Sequence, residues 1–361
     1  MKISCWMILA DNTHLRWRYI KKSATRLTVI ISLLLSACSD IQQKNIISIE
    51  GPTMGTRYTI TLIDPPRAIT KKAIQTKIER EIAIVNQWMS NYISDSEISL
   101  INGAPINVWL PLSEETYSVI ETAQEISAKT DGSFDITVSP LVSLWGFGPD
   151  KHENIPSTTE INATRAQVGW QYIQLNADRR SLLKTVPVIM DLSAIAKGFG
   201  VDYLSDFLDL YSIENYLVEI GGEIRVKGYN ADGEKWRIGI ESPTLARSGI
   251  QQAVTITDKA VATSGDYRNY YEKDGIRYSH TIDPSTGRPV EHNVASVTVI
   301  SDSATEADGW ATAFNVMRPE KTIELAEKHQ LAVYLLIYDQ EEYKSRHSSE
   351  FSQYMDKENG E

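Results

Sequence analysis

The sequence predicts an α+β fold: a single large domain of mixed, mostly antiparallel sheets with packed helices. Three observations carry that expectation. Helical periodicity dominates residues 70–130, while short strands joined by Gly- and Asp-bearing turns dominate the chain after residue 215. No internal repeat or convincing domain boundary interrupts the body. With 361 residues, 42% of them apolar, the chain can bury a full core.

The elements follow in order. TRYTITLI, from Thr56, alternates as a strand, and Ile74, Ile78, Ile82, Val85 and Met89 recur at helical spacing, which predicts an amphipathic helix over 70–90. Ser113, followed by Glu114 and Glu115, opens a second helix that stops at Thr130-Asp131-Gly132. TVPVIMDL (185–192) reads as a buried strand running into a helix from near Ser193 to about Leu210. Beyond it, YLVEIGGEIRVKG and EKWRIGIESP flank the turn signal NADG. AVATSG, YRNYYE and IRYSHTI follow, the last two joined by the hairpin signal KDG. VASVTVIS leads into a helix from Ala304 to about Met317, opened by the capping box Ser303/Glu306 and ended by Pro319. LAVYLLIY is the last core strand, and 344–361 reads as a polar tail.

The first 37 residues read as an export signal. Five basic residues from Arg16 to Arg26 precede a short apolar run over 27–35 and the small residues before Cys38. That run is too short to span a membrane as a helix of about 20 residues. Leu35-Ser36-Ala37-Cys38 resembles a bacterial lipobox, so Cys38 is the expected lipidation site. The expected plan is a signal peptide over 1–37, a tether over 38–47, a folded body over 48–343 and the tail. The two cysteines are Cys5 and Cys38, so the body has neither a catalytic thiol nor a Cys-ligated metal. Residues 1–37 hold six Lys/Arg and one acid; without them 30 basic and 46 acidic residues remain, a net charge of −16. Such a body repels phosphate backbones, which argues against nucleic acid as a partner.

Three constellations could carry chemistry. Asp308 and Thr312 lie four apart and share one helix face. A carboxylate with a hydroxyl offers hard oxygen to Mg²⁺, although a solvated polar stripe would read the same way. In DLSAIAKGFG (191–200) a strand end meets a helix N-terminus, with Lys197 and close-approach glycines at Gly198 and Gly200. This is either an anion site or a packing corner. In DGSFDITVSPLVSLWGFG (131–148), Phe134 and Trp145 are either platforms for a planar ring or core, and Asp135 is a potential hydrogen-bond partner. The polar connection YSHTIDPSTGRPVEH (278–292) is larger than a hairpin needs.

The order of these motifs resembles the ApbE family of FAD:protein FMN transferases, periplasmic or cell-surface flavin-handling enzymes that are often lipoproteins. The resemblance runs from GPTMGTRY to LAVYLLIY and includes MSNYISDSEISLIN, VEIGGEIRVKG, ATSGDYRNYY, SHTIDPSTGRPVEH and TEADGWATAF. It implies FAD contacts at Met54, Tyr92, Ser133, Phe134, Asp135, Asp191, Lys197 and Ile282. It implies Mg²⁺ ligands at Asp308, Thr312 and the carbonyl of Ala194, with His280 as the catalytic histidine. Ala311 stands where some relatives carry a further carboxylate, leaving one anion fewer.

The implied reaction is Mg²⁺-dependent transfer of FMN from FAD to a Thr or Ser hydroxyl of a partner flavoprotein, releasing AMP. Partners of the family are subunits of membrane redox complexes of the Na⁺-translocating NADH:quinone reductase and Rnf types. The expected location is the cell envelope, with the body in the periplasm and the lipid in a membrane, the inner rather than the outer. Two other readings fit the residues: an FAD diphosphatase giving FMN and AMP, and a non-catalytic flavin-binding lipoprotein.

Overall fold

Eight strands form one antiparallel sheet whose spatial order is simply their chain order. They are β1 (Ile46–Thr53), β2 (Thr56–Ile63), β3 (Tyr216–Ile220), β4 (Glu223–Lys227), β5 (Lys259–Gly265), β6 (Val294–Ser301), β7 (Ala332–Asp339) and β8 (Glu342–His347). Every neighbouring pair is antiparallel. This is a computed structural model, and it describes residues 44–148, 150–241, 249–265, 270–340 and 342–356, without the side chain of Ile276. Cys38 and the expected export signal lie outside the described residues.

Two tight turns shape the site end of the sheet. Met54 and Gly55 join β1 to β2, with φ of 47° and 71°, between the paired residues Thr53 and Thr56. Positive φ at both central positions is what a twist-matched two-residue hairpin requires. Gly221 and Gly222, at φ 60° and 103°, do the same between β3 and β4.

The helices are inserted between strands. Between β2 and β3 lie α1 (Lys71–Met89), α2 (Glu97–Gly103), α3 (Glu114–Lys129), α4 (Ser139–Leu144), α5 (Thr158–Arg165) and α6 (Ala196–Asp209). Between β6 and β7 lie α7 (Ala304–Val316) and α8 (Pro319–Lys328). Strands β6 and β7 are buried on both faces along most of their length. Val297, Val299, Val333 and Leu335 pack with α3 and α7, while Ile300, Tyr334 and Leu336 pack with the hairpin of strands Trp236–Glu241 and Ile250–Ile256. Side chains alternate across a sheet, so a strand covered twice reads as one unbroken apolar run.

The buried positions of α1 are the five its periodicity predicts, and Ser113 caps α3 by accepting from the Thr116 N–H at 3.1 Å. Five expectations need correction. Residues 185–192 form no ladder: the strand there is Ser181–Lys184, and the following segment is irregular, held by isolated backbone and side-chain bonds. Its alternation reported burial of Val188, Met190 and Leu192. The helix expected from near Ser193 begins at Ala196. Pro319 does not merely stop α7, which ends at Val316; it occupies the first turn of α8, where its missing N–H costs nothing. The stretch 344–361 is not a tail where it is described, because β8 completes the sheet edge and Phe351 is fully buried. β1 also begins at Ile46, inside the expected tether.

Candidate active site

α6 and α7 cross so closely that a Cβ on Gly198 would stand 2.2 Å from the Ala304 carbonyl oxygen and 2.8 Å from Cβ of Asp308. That approach brings the Gly198 N–H to Oδ2 of Asp308 at 3.0 Å. Of the two readings of DLSAIAKGFG, the packing corner is the one observed for Gly198. The positive end of α6 holds an internal carboxylate, which is what a helix N-terminus favours.

Asp308 faces a cleft of about 300 Å³. The cleft wall also includes Ser133, Phe134, Asp135, Asp191, Ala194, Lys197, His280, Ile282 and Thr312. Residues separated by up to 179 positions in the chain (Ser133 to Thr312) therefore converge as the motif order implies. Met54 and Tyr92 do not line the cleft. Met54 packs against the α1–α6 core, its methyl close to Gly200. Tyr92 is 86% exposed, on a loop that Asn91 fastens to the Met190 carbonyl, one residue from Asp191.

Charge is concentrated at one point. The Lys197 ammonium lies 3.5 Å from both oxygens of Asp308 and 3.1 Å from Oε1 of Glu223. Burial raises the Asp308 carboxyl above the usual range, against the pull of Lys197 and the Gly198 N–H. Burial, then the charge of Asp308, push Glu223 up to about 8, with Lys197 opposing. Burial alone would lower Lys197, but Asp308 and then Glu223 raise it. The second oxygen of Glu223 is buried without a hydrogen-bond partner among the described residues. Sequence reasoning missed Glu223. Its signal was a charged residue directly after the Gly-Gly turn of VEIGGEIRVKG, meaningful only once the hairpin is seen to point into the cleft.

The remaining residues have defined supports. Thr312 Oγ1 donates to the Ala194 carbonyl at 3.4 Å, so two of the expected metal ligands already touch. Asp191 Oδ1 accepts from Ser193 N–H at 2.9 Å and Ser193 Oγ at 2.5 Å, which fixes the corner before α6. Asp135 is occupied: its oxygens accept from Thr137 N–H (2.8 Å), Thr137 Oγ1 (2.6 Å) and Trp170 N–H (2.9 Å). Burial nonetheless raises its carboxyl, against those bonds.

The large polar connection is a built loop. Asp283 accepts from Ser285 N–H and Oγ, Trp145 Nε1 donates to Gly287 O at 2.8 Å, and Arg165 donates to Ser285 O at 2.6 Å. These bonds hold Ile282 against Leu141 and Trp145 and leave His280 at the cleft, edge-on to Phe147 at 6.3 Å. Trp145 is therefore core rather than a platform, while Phe134, 1% exposed, is both core and cleft wall.

Among the described residues no three His, Cys, Asp or Glu side chains cluster as a metal site. A divalent ion here would rest on Asp308, Thr312 and the Ala194 carbonyl. These are hard oxygen donors, and Mg²⁺ commonly takes one or two carboxylates and completes its shell with water and substrate phosphate. The donor set fits a cation, and the buried Glu223 oxygen that has no hydrogen-bond partner among the described residues adds a further hard oxygen beside it.

Comparison with known proteins gives the family. Residues 54–335 match the ApbE family. The chain is 43% identical over 327 residues to the FAD:protein FMN transferase of Vibrio cholerae, covering 90% of this chain and 97% of that protein. The solved structure of flavin transferase ApbE from Vibrio cholerae superposes with a TM-score of 0.80 at 42% identity, over 86% of this chain and 99% of the other. The apo Pseudomonas stutzeri flavinyl transferase ApbE gives 0.79 at 37% identity, over 87% and 98%. With its fold and more than three quarters of its length in common with these proteins, the chain belongs to the ApbE family.

Proposed function

We propose that this protein transfers the FMN moiety of FAD to a Thr or Ser hydroxyl of a target flavoprotein, with Mg²⁺, and releases AMP. The observation that carries the reading is the convergence in one cleft of hard oxygen donors (Asp308, Thr312, Ala194), an ammonium (Lys197) and an imidazole (His280). Beside them lies an apolar wall of Phe134, Val138, Val142 and Ile282. The FAD:protein FMN transferases among its relatives support the same chemistry.

In this reading the apolar wall packs a ring system of FAD, while Lys197 offsets charge near the diphosphate. Mg²⁺, when bound, supplies further charge neutralisation at the phosphates, the dominant need in phosphoryl transfer. His280 accepts the proton of the acceptor hydroxyl as that oxygen bonds to the FMN phosphorus. The bond from that phosphorus to the AMP phosphate oxygen breaks, and AMP leaves with the electron pair. A wider groove of about 620 Å³ shares Ser133 and Val316 with the cleft, giving an acceptor segment a path to it. Lipidation at Cys38 would hold the body at the outer face of the inner membrane, beside acceptors of the redox-complex type.

The test is intact-mass spectrometry of an acceptor after incubation with FAD. Transfer adds the FMN moiety and frees AMP, and EDTA stops both. AMP release without a mass gain would identify hydrolysis instead, and FAD binding without AMP release would identify a storage protein. His280→Ala should slow transfer by about 10²–10⁴. A rate within about threefold of wild type would remove His280 from the role of base, since that loss is far below what general-base catalysis supplies.

A further inference from the structure

We propose that Asn102 is a positioning residue for the cleft, holding the 190–194 corner in register by clamping the main chain of Met190; the inference rests on the transfer reaction above. Asn102 lies in the last turn of α2. Its Nδ2 donates to the Met190 carbonyl at 2.8 Å, and its Oδ1 accepts from the Met190 N–H at 2.8 Å. One amide side chain thus gives Met190 the two bonds a neighbouring strand would give. It does so across 88 residues of sequence. Met190 is fully buried, so without the amide its N–H would lose its partner where water does not reach, and its carbonyl would keep only the longer bond from Asn91.

The clamp is braced on one side and transmits on the other. Nζ of Lys184, itself 1% exposed, donates to the main-chain oxygen of Asn102 at 2.8 Å. Asn91 Nδ2 adds a bond to Met190 O at 3.2 Å. Beyond Met190, the Asp191 N–H donates to Ile136 O at 2.7 Å, which joins the corner to the wall carrying Ser133, Phe134 and Asp135. Asp191 in turn fixes Ser193, and the Ala194 carbonyl receives Thr312. Asn102 does not line the cleft, so it acts through these groups.

The experiment compares Asn102→Ala, Asn102→Asp and Glu97→Gln with wild type for kcat, KM for FAD, the Mg²⁺ concentration at half-maximal rate, and Tm. FAD affinity in EDTA is a readout independent of turnover. Glu97 lies on the same helix, where its carboxylate accepts from Ser113 N–H and Oγ and from Thr116 Oγ1, and it makes no bond to the corner. Asn102→Ala should lower kcat by about 10²-fold, the scale of a misplacement near 1 Å, and raise the Mg²⁺ requirement. Asn102→Asp keeps the acceptor for the Met190 N–H and should recover part of the loss. Glu97→Gln should lower Tm with kcat within about twofold, because its bonds support only the fold. A folded Asn102 variant with wild-type kcat and Mg²⁺ dependence would overturn the proposal, and so would an equal kcat loss in Glu97→Gln. If the alanine variant does not fold, the aspartate variant decides. Absence of transfer in the wild type would overturn the proposed function instead, leaving FAD affinity to report on the clamp.

Discussion

Two aspartates serve the same helix in opposite ways. Asp202, on α6, accepts from Ser303 Oγ, from the N–H groups of Ala304 and Thr305, and from Thr305 Oγ1, at 2.7–3.0 Å. Arg225 adds an ion pair at 2.9 Å. Asp308, on α7 itself, has the Gly198 N–H at 3.0 Å and a lysine only at 3.5 Å, and burial raises its carboxyl. A carboxylate saturated by donors is a structural cap. One that is buried and underserved has coordination to spare, and it faces the cleft. The contrast separates architecture from chemistry within one helix.

The largest expected effect breaks the underserved side. Asp308→Asn keeps the shape beside Trp310 and Phe314 while removing the charge that would hold a cation. Loss of one such electrostatic element should cost about 10²–10³ in rate. Measured AMP release across a Mg²⁺ titration checks it, with circular dichroism confirming the fold. A variant fully active at low Mg²⁺ would place the metal elsewhere. The saturated side should break differently. Asp202→Ala leaves the Ser303 cap but takes the partner from the Ala304 and Thr305 N–H groups in the first turn of α7, and it strips Arg225 of its closest partner, so stability should fall by about 1–3 kcal/mol. At 25 °C its kcat should stay within a few-fold of wild type. Urea unfolding beside steady-state kinetics separates the two outcomes, and a large kcat loss at unchanged stability would make Asp202 part of the site.

The same contrast explains what the sequence could and could not reveal. Asp308 and Thr312 were legible because i,i+4 spacing on a helix survives any tertiary arrangement. The doubly covered strands β6 and β7 were legible because burial on both faces writes a continuous apolar run. Residues 185–192 were misread because alternation records which side chains are buried, and at Met190 Asn102 rather than a strand completes the backbone. β8 was misread as tail because an edge strand exposed along most of its length has the composition of a tail. Glu223 and Asn102 carried no periodic signal at all. Their roles exist only through partners far away in the chain, and the family resemblance supplied the cleft without supplying its supports.

The smallest expected effect sharpens the comparison through pH. In the folded, metal-free protein Glu223 is raised to about 8, whereas in the unfolded chain it titrates near its ordinary value of 4.5. Between those limits the folded state holds a proton that the unfolded state has released. Stability therefore falls as pH rises through this window, because ionisation is resisted by burial and by the neighbouring charge of Asp308. Lys197 stays protonated throughout, so it does not reverse the sign. Glu223→Gln removes the titration but keeps a polar side chain of the same length. In EDTA its unfolding midpoint should be flatter than that of wild type between pH 5 and 8. Asp202→Asn should leave that slope as it was, since the saturated carboxylate lies outside the cluster. Parallel slopes for wild type and Glu223→Gln would mean that the proton sits on Asp308, and the two members of the buried pair would exchange roles.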